Sequence, residues 1–247
     1  MVLLVVIIQM YFAVKFSRMK NILIIFTATL VLVNQGTNAQ SCSSSPLFTQ
    51  GKQFVYLTDQ PNAFGGANQS RKQVKITYVV QKVNNAGGAT TANISIVKWE
   101  DSSNSNAKPP SAGLFTAAVC NGNAMSFIAH IHNGMMDMDD TTEVPSSMQV
   151  GDKMKDKAFT VTIPGKKPMV LNARKQTSVV AQEKVTTPAG AFNCFKVAIT
   201  TTVGMPAMGN MKAGDMTDTV YTWFAPGTGI IKSQMTDAFT TTLIGIQ

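Results

Sequence analysis

Apolar and polar side chains alternate along most of the chain from residue 52 onward. In residues 71–83, Val74, Ile76, Tyr78 and Val80 fall on one parity and Lys75, Thr77 and Gln81 on the other, with Val79 out of step. A period of two marks a half-buried β-strand. Residues 52–59 repeat the pattern with Phe54 and Tyr56. Residues 84–88 are Gly- and Asn-rich and turn the chain, and 90–100, with Ile94, Ile96 and Trp99, return as the partner of a long hairpin. Residues 113–120 and 123–132 predict a second hairpin around Asn121-Gly122, a strong type I′ turn signal. Residues 133–142, rich in Met and Asp, read as irregular, a short helix or a flap. Residues 144–153 read as an extended segment ending in a Gly-Asp turn, and 158–163 as a short strand.

A long segment, 169–187, ending in the β-branched run 177–187, meets a turn in which Pro188 presets φ and Gly190 takes the last position. Residues 192–203 form its partner. Residues 204–214 are low in complexity, rich in Gly and Met, and predict a loop. Pro226-Gly227 fits a type II turn, with Gly229 allowing a bulge before Ile230. In 238–246, Phe239, Thr241, Leu243 and Gly245 alternate with Thr240, Thr242, Ile244 and Ile246. Roughly ten strands at this spacing, without a helix after the N-terminal segment, predict an all-β antiparallel architecture. Strands this long favour a strongly curved sheet, forming a half-barrel or open barrel. The expected inward residues are Tyr56, Tyr78, Val80, Ile96, Trp99, Phe127, Phe195, Val197, Tyr221 and Trp223.

The first 39 residues follow a different pattern. Met19 and Lys20 open a short basic region, residues 22–33 are apolar, and 34–39 are polar and end on small residues. This predicts a secretory signal peptide over 1–39, with the true start at Met19 and cleavage after Ala39. Its apolar run is shorter than the ~20 residues of a membrane span. One β domain, 40–247, follows. The chain carries a net charge of +8, and removing Lys15, Arg18 and Lys20 leaves 18 basic residues against 13 acidic ones, or +5. The positive charges are scattered without a basic stripe of interleaved aromatics, which argues against nucleic acid. Cys42, Cys120 and Cys194 in an exported chain predict one disulfide and one free thiol, with three pairings open. Cys42 could alternatively carry a lipid.

The segments 184–196 (Lys-Val-Thr-Thr-Pro-Ala-Gly-Ala-Phe-Asn-Cys-Phe-Lys) and 223–234 (Trp-Phe-Ala-Pro-Gly-Thr-Gly-Ile-Ile-Lys-Ser-Gln) resemble the TapB-like family of exported β proteins common in Bacteroidota. Residues 144–156 and 120–123 fit it as well. The resemblance implies an envelope location and an antiparallel fold akin to open-barrel periplasmic proteins. It brings no catalytic residues, and the Met-rich loop and Pro109-Pro110 connection depart from it.

Candidate chemistry is sparse. His130 and His132, two apart on a strand, share a face and could chelate one metal. Met125, Met135, Met136 and Met138 lie nearby, and Met205, Met208 and Met211 could add thioethers, a donor set suited to Cu(I). Asp137, Asp139, Asp140 and Glu143 could hold Ca²⁺ in a loop, though without the spacing of a calcium-binding loop. Cys120 and His130 could meet across their hairpin as nucleophile and base. No nucleophile elbow or phosphate-cradling loop is present. These residues predict a non-catalytic envelope protein, without cofactor, that binds a lipid, another hydrophobic ligand or a protein partner on its curved sheet. Periplasmic Cu(I) binding through His130, His132 and the methionines is the alternative.

Overall fold

The computed structural model describes residues 42–61, 71–103, 115–122, 124–132, 137–145, 147–164, 168–207, 213–235 and 238–247. The expected signal peptide and the Pro109-Pro110 connection lie outside them. All described residues belong to one unit, Thr37–Gln247. It is an antiparallel barrel of twelve strands: β1 (Gln53–Pro61), β2 (Arg71–Ala86), β3 (Ala89–Asp101), β4 (Ala117–Asn121), β5 (Ala124–His132), β6 (Asp137–Pro145), β7 (Lys157–Ile163), β8 (Met169–Thr187), β9 (Gly190–Met205), β10 (Gly214–Ala225), β11 (Gly229–Met235) and β12 (Phe239–Ile246). Each strand pairs with its sequence neighbours, and β1 pairs with β12 from Phe54↔Ile246 to Asp59↔Thr240. The curved antiparallel sheet expected from the alternation is therefore present, and it closes.

Local chemistry accounts for the elements. Asn121 is the last residue of β4 and pairs with Ala124, so the tight turn starts one residue later than the expected Asn121-Gly122, at Gly122 with φ +59. Extra residues at bulges in the β2–β3, β8–β9 and β10–β11 pairings raise the local twist, so long strands can coil around the barrel.

One segment expected to lack regular structure is a strand. Residues 137–145 form β6, paired along its whole length with β5 from Ala124↔Pro145 to His132↔Asp137. Strand propensity depends strongly on context, and a long partner overrides the poor tendency of Asp. From the ends of the loop expected over 204–214, β9 takes Gly204 and Met205 and β10 takes Gly214. Threonine hydroxyls tie this end together, with Thr200 to Thr219 at 2.9 Å and Thr202 to Thr217 at 3.0 Å.

The core fills one part of the barrel. Tyr56, Tyr78, Phe115, Phe127 and Phe224 form a continuous row of rings with centroids 5.3–5.8 Å apart. Tyr56 donates to the Ile230 carbonyl at 2.8 Å, so its buried hydroxyl is satisfied. Two 3-10 turns, Cys42–Ser44 and Pro46–Phe48, add Leu47 and Phe48 to this cluster. Cys42 forms a disulfide with Cys120, which chooses among the three pairings and leaves Cys194 as a buried free thiol. A lipid thioether would need the same sulfur, so a Cys42 held in this disulfide is not an anchor.

Of the expected inward residues, Tyr56, Tyr78, Val80, Phe127 and Val197 are buried in the main core, while Ile96, Trp99 and Phe195 are partly buried against it. Tyr221 and Trp223 differ. Val220, Thr222 and Phe224 line the interior, so alternation turns Tyr221 and Trp223 to the outer face. Trp223 is covered there by the ammonium groups of Lys196 and Lys232, 4.9 and 4.6 Å from its ring, and donates its indole N–H to Glu183. Lysine stems and cation–π contacts cover the ring on that side, while Trp223 still packs in the main core cluster with Tyr221 partly buried against it.

Candidate binding site

The barrel wall is uneven. β6 pairs with β5 over nine positions but with β7 only at Asp137↔Thr162. Beyond that point β6 and the chain leading into β7 splay apart. The far side of the gap is held by a short backbone ladder: Met154 donates to Thr177, Gly151 donates to Val179, and Val179 donates to Asp152, all at 2.8–2.9 Å. A slot of about 310 Å³ remains between Thr141–Glu143 on one side and residues 152–157 on the other, floored by Lys175 and Thr177.

Lys175 crosses the gap. On β8 it occupies the inward parity between Ala173 and Thr177, and it is only 3 % exposed. Its ammonium donates to the Asp140 carboxylate, to the Thr141 carbonyl at 2.8 Å and to the Thr142 hydroxyl at 3.1 Å. All three N–H donors are thus used. Lys157 donates to the same Thr141 carbonyl at 3.2 Å. Two side chains thereby satisfy a backbone acceptor that lacks the neighbouring strand it would have in a complete ladder. Burial pulls the Lys175 ammonium below the ordinary lysine value, and Asp140 opposes that shift.

Behind this pair lies an interior cavity of about 250 Å³. Its wall is mainly apolar, with Phe127, Val197, Ile199 and Phe239, and its polar groups come from Asp140, Thr142, Thr201, Thr222 and Ser233. Thr142 lines both the cavity and the slot. The cavity exceeds the ~150 Å³ that accommodates benzene in an engineered core, and approaches the ~300 Å³ at which drug-sized ligand pockets begin. Outside, exposed polar residues such as Lys75, Glu100, Arg174 and Gln176 stand among exposed Val97, Val170 and Val180. Among the described residues no helix is long and apolar enough to cross a membrane.

The residues singled out from sequence take other places. The backbone register sets His130 and His132 opposite Asp139 and Asp137. Met125 is buried in the core, and Met205 packs on a separate small cluster around Leu171. Met135, Met136, Met208 and Met211 lie outside the described residues. The acidic Ca²⁺ loop is replaced by a strand, in which Asp140 and Glu143 point to opposite faces and Asp140 is taken by Lys175. Cys120 is unavailable as a nucleophile because its sulfur is in the disulfide. Lys175 was missed, although a charge on the otherwise apolar parity of 171–179 was a readable signal.

Fold and site together define a class: a closed antiparallel barrel, packed with aromatics in one part, with an interior cavity beside a lysine-lined slot in its wall. The DUF3108-like family model matches residues 66–238, and the chain belongs to that family. Two crystal structures are similar in fold. A candidate lipoprotein of Parabacteroides distasonis aligns with a TM-score of 0.53 at 14 % identity, over 81 % of this chain and 96 % of its own. A candidate exported protein with a YmcC-like fold from Bacteroides fragilis aligns with a TM-score of 0.51 at 17 % identity, over 80 % and 96 %. A search of the curated proteins found no match.

Proposed function

We propose that this is an exported, non-catalytic protein of the cell envelope, at the periplasm or outer-membrane surface, that holds a small apolar ligand inside its barrel. The observation that carries the reading is the 250 Å³ interior cavity, whose apolar wall includes a few converging polar groups. Export is supported by the signal-peptide pattern over residues 1–39, by the disulfide, which favours an oxidising compartment, and by the descriptions of the two similar structures. The narrower likeness to TapB-like proteins, carried by the hairpins at 184–196 and 223–234, belongs with this reading.

The test is native mass spectrometry of the mature chain purified from its own periplasm, beside an Ala129→Phe variant. Ala129 lines the cavity, so a larger side chain fills it. A co-purifying apolar mass in the wild type, lost from a variant that still melts cooperatively, is expected. A bare wild-type mass that also takes up no added octanol removes the ligand reading. A stoichiometric adduct after adding Cu(I), lost on changing His130 and His132 to Ala, would put the copper alternative in its place.

A further inference from the structure

The geometry points to a ligand class for this cavity: a short-chain anionic amphiphile whose tail occupies the interior and whose carboxylate or phosphate lies in the wall slot. This rests on the cavity reading above and adds the charge and the direction of the ligand. Three observations carry it.

First, the two spaces adjoin. Thr142 lines both, and the slot contains inward residues, Lys175 and Thr177, together with outer-face residues such as Glu143. The slot therefore cuts into the wall and meets the boundary of the cavity at Thr142, with the Lys175–Asp140 bridge between the two spaces. Second, the two spaces differ in chemistry. The cavity is mainly apolar, whereas the slot is bordered by Lys153, Lys155, Lys157 and Lys175 against Glu143 and Asp152. Asp152 is already engaged, accepting from the Gln149 N–H at 2.7 Å. Lys175 is saturated by Asp140, Thr141 and Thr142, so it forms part of the wall and not the recognition group. Lys153 and Lys155 are exposed and make no ion pair among the described residues, which leaves their ammonium groups available to an anion. Third, size sets the tail. At ~30 Å³ per heavy atom, the share of a water in the liquid, a 250 Å³ cavity takes a chain of about eight carbons. A longer acyl chain would have to leave through the slot.

The test compares octanol, octanoate, octyl phosphate and inorganic phosphate by titration calorimetry on the mature chain at low salt, with a Lys153→Gln/Lys155→Gln variant alongside. Both lysines are exposed, so the variant should keep its fold, which its melting curve checks. Octanoate and octyl phosphate should bind at least ~10-fold tighter than octanol, because an anion within a few ångströms of two ammonium groups gains that much even under strong screening. The double variant should remove most of that advantage and leave octanol unchanged. The relative strength of octanoate and octyl phosphate separates a fatty acid from a phosphorylated lipid as the source.

Equal binding of octanol and the two anions overturns the inference while leaving the cavity reading intact. An anion advantage that survives the double variant also overturns it, because the charge would then be recognised elsewhere. Inorganic phosphate binding as tightly as octyl phosphate would make the slot a plain anion site and end the amphiphile assignment. Absence of binding by any of the four defeats both readings.

Discussion

Removing the Cys42–Cys120 disulfide should cost this chain several kcal/mol of stability. The bond joins residues 78 apart in sequence and ties the 3-10 turns that carry Leu47 and Phe48 to β4. In the chain-entropy picture, a closed loop of that length removes about 4.5 kcal/mol of freedom from the unfolded chain at 25 °C. Residual structure in the unfolded state lowers this figure, so a loss of about 3–4 kcal/mol is expected. Both cysteines are 4 % exposed, so Ala is a better replacement than Ser, which would bury a hydroxyl. For a domain of this size, the loss corresponds to a fall in Tm of about 6–16 °C. Urea unfolding of a Cys42→Ala/Cys120→Ala variant, followed by fluorescence of Trp99 and Trp223, measures it directly. The denaturant slope should also rise, because an unfolded chain without the cross-link exposes more surface. A loss below about 1 kcal/mol with an unchanged slope would refute the reasoning. It would mean that the N-terminal turns dock without the tether, or that the unfolded chain is already as compact as the cross-linked one.

Gly229→Ala should destabilise by about 2–4 kcal/mol, because Gly229 has φ +107 and an added Cβ would lie 2.6 Å from Leu47 Cδ1. In a Leu47→Ala background the same change should cost only its backbone part, which a double-mutant cycle resolves. Lys175→Met should cost about 2–3 kcal/mol, less than the 3–5 typical of breaking a fully buried pair, because the Asp140 side chain is 23 % exposed and can rehydrate. Adding Asp140→Asn should recover part of the loss in the same chemical denaturation assay. The Cys194 thiol, pushed up from 9.0 to about 11 by burial and then by the Glu183 carboxylate, should resist alkylation at pH 8 until the protein unfolds. Because the folded state keeps this proton longer than the unfolded chain, its contribution is fully present below pH 9 and falls as pH rises through 11, by about 1.4 kcal/mol per unit between them. The difference between wild type and Cys194→Ala isolates the effect from Lys175, whose lowered value gives the opposite slope.

Alternation, turn chemistry and β-branched runs determined most of the strands. The segment 169–187 was legible from end to end, and β8 spans Met169–Thr187, because its β-branched end, 177–187, stops at a proline turn. The existence of the hairpins at Gly122 and at Pro226-Gly227 was equally plain, since each depends on neighbours a few residues away, but the first turn starts one residue later than expected and the bulge falls at Ile231, beyond Gly229. The apolar parity of β2 was also local information, and Val74, Ile76, Tyr78 and Val80 are buried as it implied.

Tertiary structure decided what depends on distant partners. β6 exists because β5 offers nine paired positions to a segment whose Asp-rich first half favours no strand. Closure rests on β1 meeting β12, at opposite ends of the domain, and no local pattern encodes that register. Three cysteines left three possible pairings until the fold set Cys42 beside Cys120. The side on which Trp223 lies follows from bulges and from lysine stems on two other strands, since an apolar residue can be covered on the outside of a barrel as well as within it. The site is the clearest case. A lysine on an apolar parity was visible at position 175, but its partners Asp140, Thr141 and Thr142 stand 33 to 35 residues earlier, across a gap that appears only when β6 and β7 part. A sequence states which side chains are apolar and where the backbone can turn. Which of them meet across a closed sheet, and where that sheet fails to close completely, is set by the summed registers of all twelve strands.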